Sequence, residues 1–312
     1  MPVRLPPVTE NASRLLLEGL VDYAGLFPPA TLAMPAAVRN YAHYRAAGAG
    51  WMLGRFVCPA GALELFSQQA DPLLPRDAGA IPWRLTATAS DDTAADLAGI
   101  VAFNERHRVC FEECGALVDA YEVRLGDAKQ LATLDAMIPR DLVTYFEIPF
   151  AAAPELLPRV ADLGRRAKMR TGGIVASAFP ASEAIASFLK TCFDHEIVAK
   201  ATAGLHHPIS GPYRLTYDAD APSGRMYGFL NVFLTAALLV QGADVTQAVR
   251  LLDELDAASV SIDEVQITWR SDNGAVVLDR ETLQRVRERL LVSFGSCSFT
   301  EPVTEIRAMG WL

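Results

Sequence analysis

Seven times along this chain, a short β-branched or aromatic run gives way to an Ala-, Leu- and Glu-rich stretch of helical length. That alternation constrains the fold more than any single motif does. GLVDYAG (19–25) precedes AMPAAVRNYAHYRAAG, WMLGRFVCPA (51–60) precedes GALELFSQQA, and WRLTATAS (83–90) precedes DDTAADLAGIVAFNERH, where Ser90 or Asp91 is a natural N-cap. VDAYEVRLG (118–126), LVTYFEIPF (142–150) and AKMRTGG (167–173) each lead into a further helical stretch, and IVAKATAG (197–204) closes the set. Strand, helix, strand in one sheet makes a right-handed parallel crossover, with the helices outside. At this number of units a closed sheet of eight strands is the economical solution. The sequence therefore predicts an α/β protein, a single (β/α)8 TIM barrel over residues 1–312. The competing open, doubly wound sheet needs a glycine-rich first turn, and DYAGLFPPA has one glycine and two prolines.

The eighth strand is expected in RMYGFLNVF (225–233) or EVQITWR (264–270). YGFLNVFLTAALLV reads as a buried helix, or a strand entering one, with Asn231 as its polar member. From about 275 to 312 a C-terminal helix and an irregular tail are expected to pack on the barrel, since FGSCSFTEPVTEIRAMGWL has no clear period.

At 312 residues, 51% of them hydrophobic, the chain can bury such a core. Its net charge of −9 argues against nucleic acid or an anionic membrane as partner, because both reward clustered Lys and Arg. No window of eighteen or more apolar residues occurs, and MPVRLPPVTENASR has neither a signal nor a transit pattern, so a cytoplasmic protein is expected. Of the five cysteines (Cys58, Cys110, Cys114, Cys192, Cys297), only Cys110 and Cys114 are close, and no second pair completes a zinc site. Reduced thiols are expected. The partner should be a small molecule, or a second copy of the chain in a homo-oligomer.

Residues two apart on a strand share a face. Glu122 and Arg124 therefore oppose Tyr121, Val123 and Leu125; Glu147 opposes Phe146 and Ile148; Lys168 and Arg170 oppose Met169; and Lys200 aligns with Thr202. A barrel strand turns its apolar face outward to the helices, so these charges must point inward. Interior charges are costly unless paired, and a satisfied ion-pair plug would account for any one of them alone. Six on four successive strands, near the end where barrel active sites are built, point instead to a pocket. Four cations (Arg124, Lys168, Arg170, Lys200) against two anions (Glu122, Glu147) favour an anionic substrate, a phosphate or a carboxylate.

Two lysines on adjacent interior strands suggest covalent chemistry. Crowding by like charge lowers an ammonium's pKa, and the neutral amine attacks carbonyls to form a Schiff base. KMRTGG and VAKATAGL resemble motifs of the class I aldolases of the deoxyribose-phosphate aldolase family. That family carries its Schiff-base lysine on strand six, among small hydroxyl residues and Gly, and a second lysine on strand seven ahead of a Gly-rich turn. The early LVDYAGLFPPAT and GRFVCPA are similar to the family's opening strands, while Arg170 and LHHP depart from its pattern. The resemblance implies Lys168 as the Schiff-base residue and Lys200 as its electrostatic partner. Glu147 or Glu122 would shuttle protons, and neither metal nor other cofactor is expected.

RTGG adds Thr171, Gly172 and Gly173 as an anion cradle beside Arg170, although a tight turn explains the glycines equally well. His206 and His207 follow strand seven, and adjacent side chains diverge, so one of them is expected to face the pocket as an acid, a base or a substrate contact. Cys297 in FGSCSF lacks an evident His partner. Two further readings stand beside the aldolase. One is a non-covalent phosphoribosyltransferase or isomerase, since KATAGLHHP has a likeness to the quinolinate phosphoribosyltransferases; the other is a non-catalytic barrel that binds an anionic metabolite.

Overall fold

The computed structural model describes residues 11–76, 81–109 and 115–312, so the Cys110/Cys114 pair and the opening segment through Glu10 lie outside the described residues. The chain begins with helix α1 (Ala12–Leu17) and then alternates. In order come β1 (Val21–Tyr23), α2 (Met34–Ala46), β2 (Leu53–Pro59), α3 (Leu63–Ala70), β3 (Trp83–Thr88), α4 (Thr93–Val109) and β4 (Ala116–Arg124). There follow α5 (Ala128–Met137), β5 (Val143–Glu147), α6 (Ala153–Asp162), β6 (Arg166–Arg170), α7 (Ser182–Asp194) and β7 (Ala199–Thr202). Each of the seven expected strands is present in its expected place.

The last third departs from the repeat. A hairpin, β8 (Gly211–Arg214) and β9 (Ser223–Met226), leads to α8 (Phe229–Val240) and α9 (Val245–Leu252). An antiparallel sheet of β10 (Val260–Ile262), β11 (Gln266–Ser271) and β12 (Gly274–Asp279) precedes α10 (Arg280–Arg289). Only then come β13 (Leu291–Ser296) and α11 (Thr300–Ala308).

The barrel closes in the order β1-β13-β7-β6-β5-β4-β3-β2, and every neighbouring pair is parallel. The chain is a (β/α)8 barrel with added elements between its seventh and eighth strands. The eighth strand is LVSFGS, not 225–233 or 264–270: the first of these runs into buried helix α8, and the second forms the middle of the small antiparallel sheet. The stretch expected to be an irregular tail thus holds the closing strand and its helix. LVSFGS conceals itself because its inward positions are Ser293 and Gly295, which give no β-branched signal.

Side-chain caps fix several of the helix starts. Asp127 caps α5 by accepting from Gln130 N at 2.8 Å, and Asp244 with Gln247 forms a capping box on α9. At α4 the cap is Asp92, which accepts from Ala95 N at 3.0 Å; Ser90, expected as a cap, instead donates to Asp96 at 2.8 Å. The core lies between strands and helices. Phe146, Met169 and Ala201 are fully buried there, each on the strand face opposite a charge. Burial of a side chain such as Phe146 stabilises by about 1.5–3 kcal/mol, and this outward packing forces the polar face into the barrel. Among the described residues no helix is long and apolar enough to cross a membrane.

Candidate functional site

The inward face of the strands builds one alternating line of charge. Lys168 stands in register between Glu147 on β5 and Lys200 on β7. Its Nζ lies 2.7 Å from Glu122 Oε2 and 2.8 Å from Glu147 Oε2. Lys200 Nζ lies 2.6 Å from Glu122 Oε1 and 2.6 Å from Asp22 Oδ2. Glu147 Oε1 accepts from Arg170 Nε at 3.1 Å and lies 3.7 Å from Arg124 Nε. Along the line Asp22, Lys200, Glu122, Lys168, Glu147 and Arg170, no two like charges are direct partners.

This arrangement reverses one expectation. Crowding by a second lysine is expected to lower a lysine's pKa, but the Glu122 carboxylate stands between the two ammonium groups. At Lys200 burial works against the charge, and Asp22 and Glu122 outweigh it, so the ammonium is held more firmly than usual. Burial likewise acts to raise Glu122, but the two lysines win and bring it down to about 2. Glu147 is also lowered, against burial, by Lys168 and Arg170.

Asp22 is the member that sequence reasoning left out of the site. It is 1% exposed, accepts from Ser293 Oγ at 2.8 Å and from the Arg55 amide at 2.7 Å, and carries a share of the charge balance. With it, three carboxylates face the four expected cations, one of which, Arg124, has its side chain 83% exposed at the rim. The buried centre is therefore not cationic; its positive character lies at the mouth. The signal for Asp22 was present in VDY, an acid flanked by two apolar residues on a strand. Gly54 answers to it, since a Cβ there would stand 2.4 Å from Asp22 Oδ1.

Over this line opens a cavity of about 790 Å³, within the range of small-molecule sites. Glu122, Arg124, Glu147, Lys168, Arg170 and Lys200 all line it, and Phe27, Pro28 and Val57 form an apolar wall. Gly172, Gly173, Thr202 and His206 line it as well. Two expected contacts are engaged elsewhere. Thr171 is fully buried and donates to the Ala203 carbonyl at 2.7 Å, bracing the β6–α7 turn against β7. His207 turns away, its Nδ1 2.6 Å from Glu305 and its ring stacked on Tyr213 at 3.5 Å. The glycines of RTGG have a packing reason: a Cβ at Gly172 would meet the Phe179 ring at 2.4 Å, and one at Gly173 would meet Ala178 at 2.8 Å.

His206 faces the cavity as the divergence of neighbours requires, and it finds partners that sequence spacing hid. Its Nδ1 lies 3.2 Å from Glu301 Oε2 and 4.0 Å from Cys297 Sγ. Tyr217, from the β8–β9 turn, donates to the same Glu301 oxygen at 2.9 Å. His206 and Tyr217 stand 80 or more positions from Cys297 and Glu301 along the chain, and the pairs meet where the end of β13 and the start of α11 approach the β7 loop. Among the described residues no group of three or more His, Cys, Asp or Glu is placed to hold a metal ion.

The arrangement offers two ammonium groups that line the cavity, carboxylates in contact with them, and guanidinium groups at the rim. Comparison with protein-family models, curated proteins and solved structures finds no match for the chain.

Proposed function

We propose that the cavity is the active site of a carbon–carbon lyase or aldolase that holds a small anionic carbonyl substrate as a Schiff base on Lys168. One observation carries the reading: Glu122 bridges Lys168 and Lys200, at 2.7 and 2.6 Å, on the floor of the cavity. A carboxylate so placed is an ionised base in contact with one lysine, while the second lysine remains a fixed positive charge beside it. Lys200 is the fixed charge, pinned by Asp22 and Glu122. Lys168 is the amine that gives up its proton, to Glu122 or to Glu147, and attacks. Arg170 and Arg124 at the mouth suit the phosphate or carboxylate of the substrate.

The test is incubation with glycolaldehyde, pyruvate and dihydroxyacetone phosphate under borohydride, followed by peptide mass mapping. Label on the Lys168 peptide is the expected result. Label on Lys200 alone reverses the roles. A non-covalent isomerase or transferase draws support from the same contacts, because both lysines are within 2.8 Å of carboxylates and serve equally as charged binders. Absence of label with every carbonyl compound selects that reading.

A further inference from the structure

Imine formation on a lysine needs an acid as well as a base: the carbinolamine loses its hydroxyl as water only when that oxygen is protonated. Neither buried carboxylate arrives with a proton to give. Glu122 and Glu147 are both held ionised by the cations around them, so either one that takes the ammonium proton gives it up again and neither keeps it for the hydroxyl.

His206 is placed to be the acid. It lines the same cavity as Lys168 and is 8% exposed. Glu301, from α11, is ionised, held below the usual carboxylate range by His206 and Tyr217 against the effect of burial. A carboxylate only accepts, so Nδ1 of His206 carries the hydrogen that faces it. Nε2, which has no hydrogen-bond partner among the described residues, is left to exchange a proton with a bound molecule. The other groups around the ring are Cys297 from the end of β13, Tyr217 from the β8–β9 turn and His207, which is engaged by Glu305. The Tyr217 ring meets the imidazole edge-on at 6.5 Å. Burial works against the charged ring, but hydrogen bonds to Cys297 and Glu301 outweigh it and lift the ring to about 9, so the imidazolium is present at neutral pH.

We infer that His206, oriented by Glu301, is the proton donor that converts the carbinolamine on Lys168 to the iminium. This rests on the Schiff-base reading. Lys168 passes its ammonium proton through Glu122 or Glu147 to solvent. Its nitrogen bonds to the carbonyl carbon as the C=O π bond opens, and a proton moves from nitrogen to oxygen to give the carbinolamine. His206 Nε2–H then protonates its hydroxyl, the C–O bond breaks and water leaves. The nitrogen lone pair closes the C=N bond, the positive charge passes to the iminium, and neutral His206 regains its proton from solvent.

The experiment follows borohydride-trapped adduct formation with glycolaldehyde at pH 7 in the wild-type protein and in His206→Gln. The variant should form the Lys168 adduct about 100-fold more slowly, and added imidazole should restore much of the rate. Equal rates overturn the inference, and so does a slow, folded variant that imidazole fails to rescue, because a defect of packing is blind to an added acid. If His206→Gln does not fold, Glu301→Gln asks the same question at pH 8: the ring's titration midpoint by NMR should fall, and adduct formation should slow with it. A fallen midpoint with an unchanged rate overturns the inference. Absence of any adduct in the wild type is a different result, since it removes the Schiff-base reading itself and this inference with it.

Discussion

Lys200 on β7 donates to Asp22 on β1 at 2.6 Å, reaching past β13, which lies between those strands in the barrel. The same carboxylate holds the Ser293 hydroxyl of β13 and the Arg55 amide of β2. One buried acid thus ties together four strands at the seam where the barrel closes. Removing its charge leaves Lys200, 1% exposed, with a single counter-ion. Asp22→Asn is expected to lower the unfolding free energy by about 3 kcal/mol, as breaking a buried pair does. Urea denaturation measures it, and a loss below about 1 kcal/mol would show that Glu122 alone suffices.

Acid should find the site through Glu122. Its carboxyl is brought from an ordinary 4.5 to about 2 in the folded chain, so the unfolded chain binds the proton more tightly. The stability it contributes is therefore complete above about pH 4.5 and is lost as pH falls towards about 2. Urea midpoints of the wild type should drop across that window, and Glu122→Gln, less stable at pH 7, should show a shallower drop. Parallel pH profiles for the two proteins count against the ion-pair account.

The rim arginines make a separate expectation. Arg170 is 42% exposed and shares Glu147 with Lys168, so its outward guanidinium donors are open to an incoming anion. Binding of inorganic phosphate should weaken by about 1–3 kcal/mol in Arg170→Ala, the worth of a charge-assisted hydrogen bond. It should weaken with rising salt in the wild type as well. Calorimetric affinity that ignores both treatments would place the anion subsite elsewhere.

Gly172 is a packing glycine. Its Cα and that of Gly204 approach the Phe179 ring so closely that an added Cβ would stand 2.4 and 2.8 Å from ring carbons. Gly172→Ala should lower the melting temperature, at a cost of about 1–3 kcal/mol for overpacking. Phe179→Leu should relieve part of that cost in the double variant, and simple additivity would show that the ring is not the cause.

The side of each strand on which a charge lies was legible in the sequence. Alternation places Glu122, Glu147, Lys168 and Lys200 opposite Tyr121, Phe146, Met169 and Ala201, and a strand has only two faces. His206 could be separated from His207 to the extent that neighbours diverge, but which of them faced inward could not. The glycines of RTGG admitted two explanations; the packing contacts, Phe179 over Gly172 and Ala178 beside Gly173, came into view only in the structure, where both glycines also line the cavity.

Sequence by itself therefore determined the architecture and the polar interior, because both follow from local period: strand against helix, and inward against outward. Tertiary structure decided who pairs with whom. The contacts of Lys200 span 178 and 78 positions, and those of His206 span 95, distances at which local pattern carries no information about approach. It also decided the closing strand, since LVSFGS becomes recognisable only when β1 and β7 offer it their edges. Whether an interior lysine is lowered by a like neighbour or held by an opposite one depends on which groups stand next to it across the barrel. The barrel's closure, which brings Asp22 to Lys200, settles that question.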